Sequence, residues 1–237
     1  MRLLITRPEP DAGRTAAKLA ALGHEALVQP LLTIAFNPPP VDVLEPAAIL
    51  VTSQNAVRAL AGWPQVAGWM AIPVFAAGPA TARALAELGF TDVRGGARDA
   101  ESLADTVQAT CRKQAGPLLY PAARDRAEAL AGGLIAQGYD VRTVEAYRAD
   151  PVARLEPAAR AALADGSIDG ILLYSRRTAK ALRAVAEAEG IATALARPDY
   201  FVISDHVAEI VRDLGATIQV ARRPDEDSLL ALIPAAR

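Results

Sequence analysis

The chain of 237 residues sets 25 lysines and arginines against 27 aspartates and glutamates, a net charge of −2, which excludes the basic excess of a general nucleic-acid binder. Hydrophobic residues at 52% and charged residues at 22% describe a folded globular protein and not a disordered one, long enough for one large core or two small ones. The single cysteine, Cys111, excludes an internal disulfide and metal-ligand spacing, and fits an idle thiol in a reducing compartment.

From the amino terminus, LLIT (3–6) reads as a strand followed by a helix to Leu22, and VQPLLTIAFNPPP (28–40) as an extended connector. AILVTS (48–53) leads to a helix from about Asn55, and PVFAAG (73–78) to a helix ending at Leu88. LLYPAARDR (118–126) repeats the opening pattern, VEAYRADP (144–151) is a second extended connector, and GILLYS (170–175) and YFVIS (200–204) again precede helical segments. Short apolar runs alternating with amphipathic segments predict β-α-β units around parallel sheets. Gly23, Gly89, Gly138 and Gly215 follow the last apolar helical position and serve as helix stops.

The two halves resemble each other. Leu3, Leu19 and Gly23 match Leu118, Leu134 and Gly138 at an offset of 115; AILVTSQNAVRAL matches GILLYSRRTAKAL at 122, and VFAAGPATARALAELG matches YFVISDHVAEIVRDLG at 126. The same offset of 126 pairs DAESL (99–103) with DEDSL (225–229) as acidic first turns of helices. An offset that only grows is the signature of an internal duplication with small insertions in one copy.

Familiar catalytic constellations are missing. His24 and His206 are the only histidines, and CxxC, HExxH, GxGxxG, GxxxxGK[ST] and GxSxG are all absent, which speaks against a metal site, a dinucleotide-dependent oxidoreductase, a P-loop enzyme and an acyl-transfer serine. What recurs is a small hydroxyl or a glycine at strand-to-helix turns: Thr52 and Ser53, Gly78 and Thr81, Ser175, Ser204. Any one of these is explained as a helix N-cap; together they mark the carboxyl ends of parallel strands, where helix N-termini receive anions. Arg7, Arg124, Arg126, Arg148, Arg176 and Arg177 lie at the same turns or beside a connector and suit carboxylates. Tyr147, in the second connector, is either a cover for a hinge or a chemical group. A short opening, MRLLITRPEP, and no apolar run of membrane-spanning length lead to the expectation of a cytoplasmic protein without a membrane partner. Three functions stay open on these residues: an enzyme acting on an acidic small molecule, a non-catalytic two-lobed binding protein for a small acidic ligand, and a glycosyl- or nucleotide-transferring enzyme.

The motifs ITRP (5–8), TSQNAV (52–57), GPATARAL (78–85), LLYPAARDRAEALAGGLIAQGYDV (118–141) leading to AYR (146–148), SRRTAKAL (175–182) and ISDHVAEIVRDLG (203–215) stand in one order along the chain. In that order and spacing the sequence resembles the uroporphyrinogen-III synthase family over essentially its whole length. The resemblance implies a cytoplasmic, cofactor-free lyase that closes linear hydroxymethylbilane into uroporphyrinogen III, inverting ring D through a spiro intermediate. It implies two similar α/β lobes joined by a two-stranded β-ladder with an active-site cleft between them. The lobes would be discontinuous, 1–33 with 149–237 and 36–146, with connectors at about 29–37 and 144–151, whereas a plain duplication would cut the chain near residue 115. The implied partner is a linear tetrapyrrole with eight carboxylates, with a transient contact to the preceding enzyme, hydroxymethylbilane synthase. Tyr147 matches the family's proposed acid at the leaving hydroxyl. Arg7, Ser53, Gln54, Asn55, Gly78, Thr81, Arg126, Ser175, Ser204 and His206 are the expected substrate contacts, and no metal is expected. Arg176, Arg177, Asp205 and His206 depart from what relatives carry at those turns.

Overall fold

In the computed structural model, which describes residues 1–39, 45–97, 100–125 and 129–235, strands and helices alternate along most of the chain. β1 (Arg2–Ile5), α1 (Asp11–Ala21) and β2 (Glu25–Val28) come first, followed by β3 (Leu32–Phe36). The middle holds β4 (Ala48–Val51), α2 (Gln54–Ala61), β5 (Val74–Ala77), α3 (Pro79–Leu88), β6 (Val93–Ala97), α4 (Ala100–Thr110), β7 (Leu118–Ala123), α5 (Ala129–Ala136) and β8 (Val141–Pro151). The rest supplies α6 (Pro157–Asp165), β9 (Gly170–Leu173), α7 (Arg176–Ala188), β10 (Asp199–Val202), α8 (Asp205–Val211), β11 (Ile218–Val220) and α9 (Glu226–Leu230). Two compact units result: Met1–Thr33 with Asp150–Arg237, and Ile34–Ala149.

The first unit carries a sheet of order β11-β10-β9-β1-β2, with every neighbouring pair parallel. Its strands are short apolar runs because helices cover them: α1 and α9 bring Ala12, Leu19, Leu229 and Leu230 onto Leu3, Ile5, Leu172 and Phe201. Gly170 lets β9 pass close to this layer, since a Cβ there would stand 2.6 Å from the Phe201 ring and 2.9 Å from Leu3.

The second unit carries the order β3-β8-β7-β4-β5-β6, in which the pairs β8–β7, β7–β4, β4–β5 and β5–β6 are parallel. β4 shows how the sequence fixes its two faces. Ile49 and Val51 pack with Ala56, Val57 and Leu60 of α2 and Leu85 of α3. Ala48 and Leu50, one step out of phase, pack with Leu103 and Val107 of α4 and Leu130 and Leu134 of α5. The period of two along a strand thus feeds two separate cores. β3 runs opposite to β8: Leu31 O accepts from Val152 N at 3.0 Å while Asn37 N donates to Ala146 O at 2.9 Å.

Proline does not stop β7, which runs through Pro121 although it lies between β8 and β4; proline is usually confined to sheet edges. The connector from 144 is a strand, and β8 continues to Pro151. The register between β7 and β8 shifts at one point, Ala122 pairing with Glu145 but Ala123 with Tyr147, so Ala146 is an extra residue.

Candidate active site

In open parallel sheets a ligand sits outside the carboxyl ends of the strands where the winding reverses. In the second unit this point lies between β7 and β4, and in the first between β1 and β9. Both edges carry hydroxyl groups.

At the β7–β4 edge, Ser53 precedes α2 with extended backbone and its Oγ accepts the Ala56 N–H at 3.1 Å. The same Oγ lies 2.8 Å from the Tyr147 hydroxyl. Tyr147 leaves β8 with only 8% of its surface exposed and packs in the cluster of Ile49, Val51 and Leu119. One residue nearer the sheet, Thr52 Oγ1 lies 3.3 Å from the Tyr120 hydroxyl. Gln54 and Asn55 form the first turn of α2, where Asn55 Oδ1 accepts from Arg58 at 2.5 Å. Gly78 starts α3 at φ 80 and ψ 149, ahead of Pro79, a backbone conformation that favours glycine; Thr81 is buried in the turn that follows.

A serine hydroxyl offers one proton and two lone pairs. At Ser53 one lone pair takes the helix N–H. Either hydroxyl can donate in the 2.8 Å contact between Ser53 and Tyr147, so one serine oxygen serves both the helix cap and the tyrosine.

At the β1–β9 edge, Ser175 caps α7, accepting the Thr178 N–H at 3.1 Å and lying 2.8 Å from the Thr178 hydroxyl. Arg7, beyond the end of β1, donates to Glu226 Oε1 at 2.8 Å and to Thr15 Oγ1 at 3.3 Å, and lies 3.4 Å from Asp11 Oδ2. Its guanidinium also stands 4.3 Å from the Tyr174 ring centroid. Glu226 further accepts from Thr15 Oγ1 at 2.5 Å, Lys18 Nζ at 2.6 Å and Tyr174 Oη at 3.4 Å. Burial opposes its charge, but the bonds from Lys18 and Thr15 and the positive charges of Arg7 and Lys18 outweigh that and hold its carboxyl below the usual range. Burial, then the Glu226 charge, pushes the Tyr174 phenol up to about 12. Tyr174 therefore stays neutral beside an ionised Glu226.

The expected residues fall into three groups. Tyr147, Ser53, Gln54 and Asn55 gather at one strand end, with Gly78 and Thr81 at the turn after the neighbouring strand β5. Arg7 and Ser175 lie at the β1–β9 edge of the first unit, with Ser204 and His206 beyond β10. The Ser204 side chain makes no cap bond, and exposed His206 has Nδ1 3.9 Å from Glu209. Arg126, like Asp99 of the DAESL turn, lies outside the described residues. Arg124 donates from Nε to Glu145 Oε1 at 3.0 Å, so this guanidinium already faces a carboxylate of the chain. Tyr174, Glu226, Glu145 and Asn37 were missed; Glu226 stood in DEDSL as a helix-dipole residue, but nothing local joined it to Arg7, 219 positions away. Burial pushes the Cys111 thiol up, away from the low value of a nucleophile. Among the described residues there is no group of metal-ligating side chains, and no helix is long and apolar enough to cross a membrane.

No curated protein matches the chain. The solved structure of uroporphyrinogen-III synthetase from Helicobacter pylori 26695 is similar with a TM-score of 0.67 at 19% identity, covering 98% of this chain and 98% of that one. A mutant uroporphyrinogen III synthase from the extremely thermophilic bacterium Thermus thermophilus gives 0.58 at 20% identity, covering 98% and 96%. Identities this low establish the shared fold. The family model for uroporphyrinogen-III synthase HemD matches residues 13–231. The chain therefore belongs to the uroporphyrinogen-III synthase family.

Proposed function

We propose that this protein is a lyase that releases water from hydroxymethylbilane and closes it to uroporphyrinogen III, with ring D inverted through a spiro intermediate. The observation that carries the reading is the 2.8 Å contact of Tyr147 with the Ser53 cap at the end of β4. In this reading Tyr147 gives its proton to the departing hydroxyl. Water leaves, the positive charge stays on the bilane, and the tyrosinate balances it until the ring-closing pyrrole returns a proton. The rest of the work is holding a flexible chain in one fold. In the second unit the first turns of α2 and α3, at Ser53 and Gly78, suit substrate carboxylates, because peptide dipoles there favour anions. In the first unit the start of α7 at Ser175 suits them for the same reason, beside Arg7, whose guanidinium is already oriented by Glu226.

The reading also makes the two units similar lobes of an internal duplication, linked by a ladder of β3 and β8. Its support is the strand order. β2-β1-β9-β10-β11 in one unit and β8-β7-β4-β5-β6 in the other run in step, with β4 and β9 both opening at the offset of 122 and α3 and α8 at 126.

The test is to supply freshly made hydroxymethylbilane and separate the isomers of the product. Type III is the expected isomer, and type I alone would overturn the reading. Tyr147→Phe is expected to slow turnover with folding intact, and unchanged turnover removes the acid role.

A further inference from the structure

We infer that Glu145 is a positioning residue for Tyr147, acting through the bulge of β8; the inference rests on the reading of Tyr147 as the proton donor. Val144 and Ala146 already face the cluster of Ile49, Val51 and Leu119. Strict alternation would turn Tyr147 to the opposite face, toward the cluster of Leu118 and Tyr120. The extra residue at Ala146 cancels one alternation, and Tyr147 joins the same cluster as its predecessor, with its hydroxyl at Ser53. Bulges re-aim a side chain in this way.

Two residues hold the bulge, and Glu145 holds both. Asn37 donates from Nδ2 to Glu145 O at 2.9 Å and from its backbone N to Ala146 O at 2.9 Å. Arg124 N donates to Tyr147 O at 2.9 Å. Three consecutive carbonyls are thus satisfied by the residues that directly follow β3 and β7. The Glu145 carboxylate then receives Asn37 Nδ2 at 3.0 Å and Arg124 Nε at 3.0 Å on the same oxygen, Oε1. Its side chain ties together the two residues that fix the bulge. The Arg124 and Glu145 side chains are 51% and 36% exposed, so the ion pair adds little to global stability. What it sets is the direction of one hydroxyl.

The experiment measures kcat, KM and isomer ratio with hydroxymethylbilane, together with urea midpoints. Glu145→Ala is expected to lower kcat by about tenfold, the scale of a small misplacement of a reacting group, with KM within twofold and the urea midpoint unchanged. Glu145→Gln keeps an oxygen for Asn37 and Arg124 and is expected to recover most of the rate. In a Tyr147→Phe background Glu145→Ala is expected to add no further loss, because the group it aims is gone. Parental kcat in Glu145→Ala, or an equal tenfold loss in the Tyr147→Phe background, would overturn the inference. Failure of the underlying reading looks different: Tyr147→Phe alone would then turn over at the parental rate.

Discussion

Ser53 has two tasks at one oxygen, and a double-mutant cycle separates them. Ser53→Ala removes the bond to the Ala56 N–H at 3.1 Å, a lost N-cap costing about 1 kcal/mol. It also removes the 2.8 Å bond between Ser53 and the Tyr147 hydroxyl, a net contribution of about 1 kcal/mol for a part-buried pair. The single variant should therefore lose about 2 kcal/mol. Tyr147→Phe should lose about 1 kcal/mol, and the double variant no more than Ser53→Ala, which leaves a coupling energy of about 1 kcal/mol. Both tryptophans of the chain, Trp63 and Trp69, are buried in the cluster that contains Tyr147. Urea unfolding followed by tryptophan fluorescence therefore reports this unit by itself. Additive losses, with coupling below about 0.3 kcal/mol, would refute the claim that the cap and the tyrosine form one unit.

Two further outcomes follow, one from each unit. Glu226 is held below its ordinary value of 4.5 in the folded chain, so its contribution is fully present above that pH and is lost as pH falls through the lower folded value. Glu226→Gln should be less stable than the parent by about 1–2 kcal/mol at neutral pH, and urea titrations at descending pH should show that gap closing in acid. Gly78→Ala should cost about 1–3 kcal/mol and reduce turnover, because no atom lies within 4 Å of the added methyl and the whole cost is the backbone at φ 80; equal thermal midpoints would show that the turn relaxes.

What the sequence discloses depends on how local its cause is. Parallel α/β architecture was legible because buried strands are uninterrupted apolar runs such as AILV and GILL. Ser53 and Ser175 were legible as caps because a cap bond reaches only three residues ahead. Ser204 has the same sequence context but makes no cap bond with its side chain. Tyr147 was visible as a polar aromatic in an extended segment, but its direction was not, since a single bulged residue leaves no mark on composition or period. Arg7 suited an external anion by position; its actual partner in the chain, Glu226, comes from a helix at the other end of the sequence. Pro121 broke the rule that a proline ends a central strand, and nothing local announced the exception.

The interleaving of the two units also governs the order in which the chain can fold. Leu3 pairs with Gly170, 167 positions later. During synthesis β1 and β2 emerge first, then all of Ile34–Ala149, before β9 exists to cover the open side of β1. The middle unit can complete its core while the first unit waits as an apolar strand with an exposed edge, the element most prone to pairing with a neighbour. For this protein the vulnerable interval during synthesis belongs to β1 and ends only once β9 has left the ribosome.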